Sequence, residues 1–287
     1  MMTWTKRFSI TSFAAVVLVC GFAVMLEAQE AESSQPSVAE IVDSANRVAY
    51  YQGKDGRASV SMTITDSQGR TRNREFTILR RDELPEGTAD GAEVGDEYCR
   101  GQKFYVYFNR PADVSKMVFM VWKHVDKDDD RWLYLPALDL VKRIAATDER
   151  TSFVGSEFFY EDVSGRNPQE DDHELVETTD NYYVLKNAPK DPALVEFAEY
   201  KMWIHRTSFV TVKVEYYDRN EQKYREYDAQ EVKTIQGFPT VTKSRMKDLR
   251  TDGQTVIEYS DVKYDIGLPD DIFTERYLRR PPLQYLR

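Results

Sequence analysis

From residue 58 onward the chain alternates between apolar and polar positions. In ASVSMTIT, Val60, Met62 and Ile64 fall on one side and small polar residues on the other, the period-two signature of a half-buried strand. The turn SQGR leads into RTRNREFTILRR, which reads as the second strand of a hairpin. QKFYVYFNRP, KMVFMVWKH, RWLYLPA and LVKRIAA follow as strand candidates separated by short polar turns. ELVETTDNYYVLKNA reads as one further strand, and Val210, Val212 and Val214 alternate with Thr211, Lys213 and Glu215. KYREYDAQEVKTIQGFPTVTKSRMKDL and TVIEYSDVKYDIGL keep the same rhythm to the end. Ahead of the strands, Val38, Ile41, Val42, Ala45, Val48 and Ala49 recur at helical spacing, with Ser37 three residues before Glu40 as in a capping box. An amphipathic helix to about Tyr50 is expected there.

Hairpins with few helical inserts predict one continuous, curved antiparallel sheet. Such a sheet has to cover one apolar face and protect its edges. Curling into a barrel or half-barrel around the amphipathic helix does much of both, although a two-layer sandwich fits the same pattern. Residues 82–101, rich in Asp, Glu, Gly and Pro, predict an exposed loop, as do residues 163–175 with their acidic QEDDHE. DKDDD reads as a solvated hairpin turn, without the spacing and terminal glutamate of a standard calcium loop.

Two stretches carry more apolar surface than a half-exposed strand needs. In KMVFMVWKH, Met117, Phe119 and Val121 share one face while Val118, Met120 and Trp122 share the other. One face is free to line a cavity while the other packs under a cover; a two-sided core with no cavity fits as well. In WLYLPALDLVKRI, Trp132 and Tyr134 share one face and Leu133 and Leu135 the other. Pro136 cannot donate a ladder hydrogen bond, so the strand ends, bulges or lies at an edge there. Lys142 and Arg143 then form a small positive patch.

Composition narrows the function. With 287 residues and 41% hydrophobic positions the chain can bury a sizeable core. A net charge of −10 disfavours nucleic acid as a partner. Lys6 and Arg7 precede the apolar run FSITSFAAVVLVCGFAVML, the pattern of a secretory signal peptide over residues 1–28. An uncleaved amino-terminal anchor is the rival reading, and Cys20 with Val19 before it makes a poor lipoprotein signal. A polar linker over residues 29–36 then precedes a single domain over residues 37–287. After cleavage only Cys99 remains, so no intramolecular disulfide is expected. His124, His173 and His205 are widely spaced, and the chain has no serine-hydrolase elbow, phosphate loop or dinucleotide fingerprint. No catalytic residue, metal or cofactor is assigned, and an enzyme is not expected.

RWLYLPAL with VKRI, then FVGSEFFYEDV, then FPTVTKSRM, TVIEYSDVKY and LPDDIFTERYL, resemble the periplasmic outer-membrane lipoprotein-sorting proteins, a branch with a LolA-like fold. The similarity runs from about Ile41 to Leu278. It implies an unclosed antiparallel β-barrel wrapped around a hydrophobic concavity and covered by helices. It also implies a periplasmic carrier of a lipid or lipid-modified cargo between the inner and outer membranes, with transient membrane contact and an inner-membrane exporter as partner. The alternative is an accessory module of a membrane transporter whose concavity receives a peptide or partner helix. Candidates for the cavity lining are Met62, Phe104, Phe119, Val121, Trp132, Tyr134, Phe158 and Phe159, with FVGSEFFYEDV as a lid or wall. Lys142 and Arg143 are candidates for the rim or a partner contact.

Overall fold

The computed structural model of the protein describes Met1, residues 35–83 and residues 101–287. The chain forms two compact units, Met1–Ser37 and Val38–Arg287. Apart from Met1, the expected signal peptide lies outside the described residues, as do Cys99 and most of the expected loop at residues 82–101. No helix among the described residues is long and apolar enough to cross a membrane.

The unit Val38–Arg287 opens with helix α1, Val38–Tyr50. Its buried stripe, Ile41 and Ala45, packs on Tyr183, Leu185 and Ile204, as the helical spacing requires. Strands β1 (Asp55–Thr65), β2 (Thr71–Asp82), β3 (Gln102–Arg110), β4 (Val118–Lys123), β5 (Asp130–Leu135) and β6 (Leu140–Ile144) follow. The second half comprises β7 (Asp171–Thr178), β8 (Tyr182–Pro189), β9 (Glu199–His205), β10 (Thr211–Tyr217), β11 (Lys223–Ile235), β12 (Phe238–Asp248) and β13 (Gly253–Tyr264). Among the described residues these strands make a single 13-stranded sheet in the order β6-β5-β4-β3-β2-β1-β13-β12-β11-β10-β9-β8-β7. Every neighbouring pair is antiparallel.

This order makes the two edge strands consecutive in sequence. β6 and β7 do not pair, so the barrel is unclosed, and residues 145–170 connect its two edges. That connector, here called the strap, holds helix α2 (Tyr160–Ser164) and the whole of FVGSEFFYEDV.

The sheet has two apolar faces, each with its own cover. On the inner face Met62, Phe76, Phe104, Phe119, Val121 and Leu133 belong to one buried cluster with Phe153 and Phe158 of the strap. On the outer face Leu79, Tyr105, Val118, Met120 and Trp132 are buried by Leu268, Ile272, Phe273, Leu278 and Leu286 of the C-terminal segment. That segment contains the short helices α3 (Glu275–Arg279) and α4 (Leu283–Leu286). The Asp55 carboxylate fastens its start, accepting from the backbone N–H of Ile266 (2.8 Å) and Leu268 (2.7 Å). Four side chains donate to its carbonyls: Arg81 to Leu268, Trp122 to Phe273 (2.7 Å), Tyr105 to Tyr277 (2.7 Å) and Thr77 to Leu286 (3.2 Å). Apolar burial holds the cover on, and these bonds fix where it sits.

Three local expectations are corrected. ELVETTDNYYVLKNA is a hairpin of two strands, β7 and β8, because Thr179 and Asn181 turn the chain and the Thr179 hydroxyl accepts from Tyr182 N–H (2.9 Å). QEDDHE is exposed at Gln169, Glu170, Asp172 and Glu174, as expected, but it is not a loop: β7 begins at Asp171, which is 2% exposed and held by Arg166 and Tyr200. In DKDDD, Asp129 and Asp130 are anchors instead of solvated turn residues. Asp129 accepts from His124 N–H (3.0 Å) and from Arg131 (2.8 Å), and Asp130 starts β5.

Candidate functional site

A cavity of about 430 Å³ lies between α1, the inner face of the sheet and the strap. It falls within the size range of pockets that take small organic ligands. Met62, Phe76, Phe104, Val106, Phe153 and Phe158 line its apolar side. Antiparallel partners face the same way, so register decides which residues share this surface. Met62 stands opposite Ile257 on β13, and Ile78 opposite Val106 on β3; all four line the cavity.

The strap closes the gap mainly through side chains. Phe153 is its apolar hub, with ring centroids 5.8 Å from Phe108, 5.5 Å from Phe119 and 5.5 Å from Tyr160. On the β4–β5 side, Lys123 Nζ donates to the carbonyls of Ser164 (2.8 Å) and Gly165 (3.1 Å), and Arg131 donates to Glu149 (2.7 Å). On the other side, Arg150 forks onto Glu196 (2.6 and 2.7 Å) and also bonds Glu161. Arg166 joins Glu161 (3.1 Å), Glu170 (2.7 Å) and Asp171 (3.0 Å). Arg225 of β11 bonds Asp162 and the Glu157 carbonyl (3.0 Å). Bidentate arginine–carboxylate geometry gives such a junction both strength and a fixed register.

Burial governs the protonation of this network. It lowers the Lys123 ammonium to about 8, against the pull of Asp129 and Glu161. It raises the Glu149 carboxyl to about 7 despite Arg131. Burial also pushes Glu196 up, but the hydrogen bonds and charge of Arg150, with the Tyr224 hydroxyl, together outweigh it and hold that carboxyl at about 2.

The residues singled out from sequence do not all share one place. Met62, Phe104 and Phe158 line the cavity. Phe119 and Val121 are on the inner face but lie outside the lining, in the core beneath the strap, where Phe119 packs on Phe153 and Tyr160. Trp132 and Tyr134 are on the outer face, which corrects their placement in the groove. The β4–β5 register pairs Met120 with Trp132 and Phe119 with Leu133, so Trp132 goes with the outer set. Phe159 does not point into the cavity either; its ring lies between the Arg150 and Arg225 guanidiniums, at 5.2 and 4.0 Å. Lys142 is exposed on edge strand β6, while Arg143 bonds Asp130 and stacks over Trp132 at 5.1 Å.

Sequence reasoning missed the polar part of the wall. Tyr50, Tyr200, Tyr216, Tyr227, Tyr259 and Tyr264 all line the cavity, beside Glu161, Asp162, Arg166 and His173. Alternation gave the signal for some of them: Val214 and Tyr216 of β10 share a face with Tyr227 and Arg225 of β11. The histidines are widely separated; His173 Nδ1 lies 2.6 Å from Asn187 Oδ1, His124 is by Asp130, and His205 is by Ser208. Among the described residues no group of three or more His, Cys, Asp or Glu is arranged to hold a metal ion.

The geometry is matched by known proteins. A family model described as an uncharacterized protein matches residues 100–280, well over half of the chain. The chain belongs to that family. A DUF1329 family protein from Desulfovibrio piger is 26% identical, covers 85% of this chain and 100% of its own, and superposes with a TM-score of 0.72. A putative outer membrane lipoprotein-sorting protein domain from Vibrio parahaemolyticus is 25% identical over 84% of this chain and 97% of its own, with a TM-score of 0.70. A LolA superfamily protein from Nitrosomonas europaea is 20% identical over 85% of this chain and 100% of its own, with a TM-score of 0.61. These likenesses bear out the LolA-like fold and the family resemblance carried by RWLYLPAL and FVGSEFFYEDV. No curated protein matches the sequence.

Proposed function

We propose that the protein is a periplasmic carrier that holds the acyl part of a lipid or lipid-modified cargo in its cavity. On this reading it moves that cargo between the inner and outer membranes, in concert with an inner-membrane exporter. The observation that carries the proposal is the cavity of about 430 Å³, with a mainly apolar wall between sheet, α1 and strap. Each methylene taken from water into such a wall contributes about 0.8 kcal/mol, so retention of an acyl chain needs no catalytic group. The name of the Vibrio parahaemolyticus relative, a putative outer membrane lipoprotein-sorting protein domain, supports the same direction. Release then calls for a change at the strap or a handover to a partner.

Native mass spectrometry of the mature protein isolated gently from cells, with analysis of the organic extract, tests the proposal. A lipid at near-unit stoichiometry is expected. A protein that neither arrives with a lipid nor takes up an acylated probe in vitro overturns the carrier reading and favours a peptide or partner helix as occupant.

A further inference from the structure

The turn between β5 and edge strand β6 is held firmly, yet it presents leucine to solvent. Pro136–Leu138 makes one 3-10 turn, closed by Asp139 in the left-handed region at φ +46°, whose N–H returns to the Pro136 carbonyl (3.2 Å). Arg279 of α3 grips Asp139 from outside, with Nε on its carboxylate (2.9 Å) and Nη2 on its carbonyl (3.3 Å). The Tyr134 hydroxyl donates to the same carboxylate (3.3 Å). At the tip Leu138 is 71% exposed, and Leu140 just beyond it 46%. An exposed leucine alone needs no explanation. A turn ordered by four hydrogen bonds to hold one out in water does.

The C-terminal segment brings a third leucine to this corner of the sheet. Thr77, Tyr107, Val118, Tyr134 and Val141 form one row across β2 to β6. Arg279 lies over the Tyr134 ring at 5.8 Å, and the Leu286 carbonyl accepts from Thr77 (3.2 Å). With neighbouring strands about 4.8 Å apart, Tyr134 and Thr77 stand about 15 Å apart. Leu283, 45% exposed, lies on the stretch that crosses between these anchors. Leu140 pairs with Leu135 and so flanks the tip on the inner side, while Leu283 flanks it on the outer. Tyr134, Tyr277 and Tyr285 are half-buried on the outer side.

Cations surround these leucines. Continuing the β4–β5 register places Lys116 level with Pro136, beside the turn. Lys116, Lys142, Arg276 and Arg280 are all exposed, and none forms an ion pair with a described residue. The nearby carboxylates are mostly committed: Asp139 to Arg279, Asp270 to Lys103 and Asp113 to Arg74, leaving Asp271 and Glu275. The chain as a whole carries a net charge of −10. A surface approached in physiological salt responds to the charges within about 8 Å, so this corner acts as a cationic one on an acidic protein.

We propose that this corner docks the protein on a bilayer containing anionic phospholipid. Leu138, Leu140 and Leu283 enter the acyl boundary, the tyrosines stand at head-group level, and the four cations meet the phosphates. The shape favours a membrane over a folded partner. The leucines stand on the tip and both flanks of a projecting turn, a form that fluid lipid closes around, whereas a folded partner would need a matching pocket for each. None of these residues lines the cavity, so the inference goes beyond the carrier reading and is independent of what the cavity holds.

Co-sedimentation of the mature protein with vesicles tests it. Vesicles of phosphatidylglycerol and phosphatidylcholine in equal parts should bind the protein about tenfold or more tightly than phosphatidylcholine alone, and high salt should remove the difference. Leu138→Ser and the pair Lys116→Gln/Arg280→Gln should each weaken binding to the anionic vesicles by about fivefold or more. These positions are exposed, so the melting temperature should not move. Ala58→Phe, which fills the cavity, should bind vesicles as the wild type does. Loss of binding in that variant would assign membrane capture to the cavity and overturn the docking corner. Equal binding to both vesicles, or unchanged binding by either corner variant, would overturn it too. So would failure to bind either vesicle, and a protein crosslinked in intact cells from a photoreactive residue at position 138 would then give the corner to a partner protein. Cargo in the cavity is read separately, so each of these failures leaves the carrier reading standing.

Discussion

Gly165 lies directly under the ring of Tyr50: a Cβ built on it would come within 2.4 Å of two ring atoms, and its backbone sits at φ +79°. The contact joins the end of α1 to the end of α2, and Lys123 Nζ, 5.1 Å from the same ring, holds the Gly165 carbonyl from the other side. Gly165→Ala therefore combines a left-handed backbone with a ring collision. A loss of about 1–3 kcal/mol is expected, read as a lower denaturation midpoint. A variant as stable as wild type would show that strap and helix separate freely here.

Asp171 is the buried carboxylate on which the strap's Arg166 and the Tyr200 hydroxyl converge, the latter at 2.6 Å. Asp171→Asn removes the charge and weakens both bonds, while Glu161 and Glu170 still hold the Arg166 guanidinium. A destabilisation of about 1–3 kcal/mol is expected, measured by urea unfolding.

Glu149 predicts a pH dependence of stability. Burial raises its carboxyl to about 7 in the fold, above the value of about 4.3 for an exposed glutamate. Between these values the folded state binds more protons than the unfolded one, so this residue's contribution to stability falls as pH rises from about 4 to about 7. Glu149→Gln should flatten that limb of the stability profile. Glu196 works in the opposite sense: depressed to about 2, it adds stability above about pH 4 that is lost as the pH falls towards 2. Thermal melts of both proteins from pH 3 to 8 check the two limbs.

Ala58 is a small residue in the cavity wall. Ala58→Phe fills space that is empty of side chains, so the fold is expected to hold or gain slightly. Retention of an acylated probe should fall by about tenfold or more, through lost chain burial. Full retention would place the ligand elsewhere.

The outer cover is predicted to be indispensable. Ending the chain at Asp265 removes Leu268, Ile272, Phe273, Leu278 and Leu286 from Leu79, Tyr105, Met120 and Trp132. An apolar patch of that kind promotes association. Loss of soluble monomer in size-exclusion chromatography is the expected result.

The faces of individual strands were legible before the structure. The alternation in KMVFMVWKH separates Phe119 and Val121 from Val118 and Met120, and the two sets do fall on opposite sides of β4. Alternation gives parity within one strand, however, and says nothing of which side is concave. That depends on cross-strand register, so the pattern alone allows Trp132 and Tyr134 in the groove, whereas Leu133 and Leu135 share the inner face. The ionic strap was illegible for a related reason. Asp171, Glu161 and Arg166 look like solvated charges in sequence, and only the meeting of β7, β9 and the strap buries and pairs them. The strap's aromatics, by contrast, announced themselves: FVGSEFF is apolar where an exposed connector would be polar, and Phe153 and Phe158 are buried.

The pairing of β1 with β13 governs how this molecule can acquire its shape. Met62 meets Ile257 and Val60 meets Tyr259, partners separated by nearly the whole domain. Every other seam in the sheet joins strands adjacent in the chain and can zip as a local hairpin. This seam carries the loop-closure cost of all that lies between, and contacts at such separation slow folding. Until the final strand is available, two half-sheets exist with open edges at β1 and β12, each exposing backbone that pairs readily with other chains. The last long strand synthesised is therefore the one that turns two aggregation-prone meanders into a single protected surface.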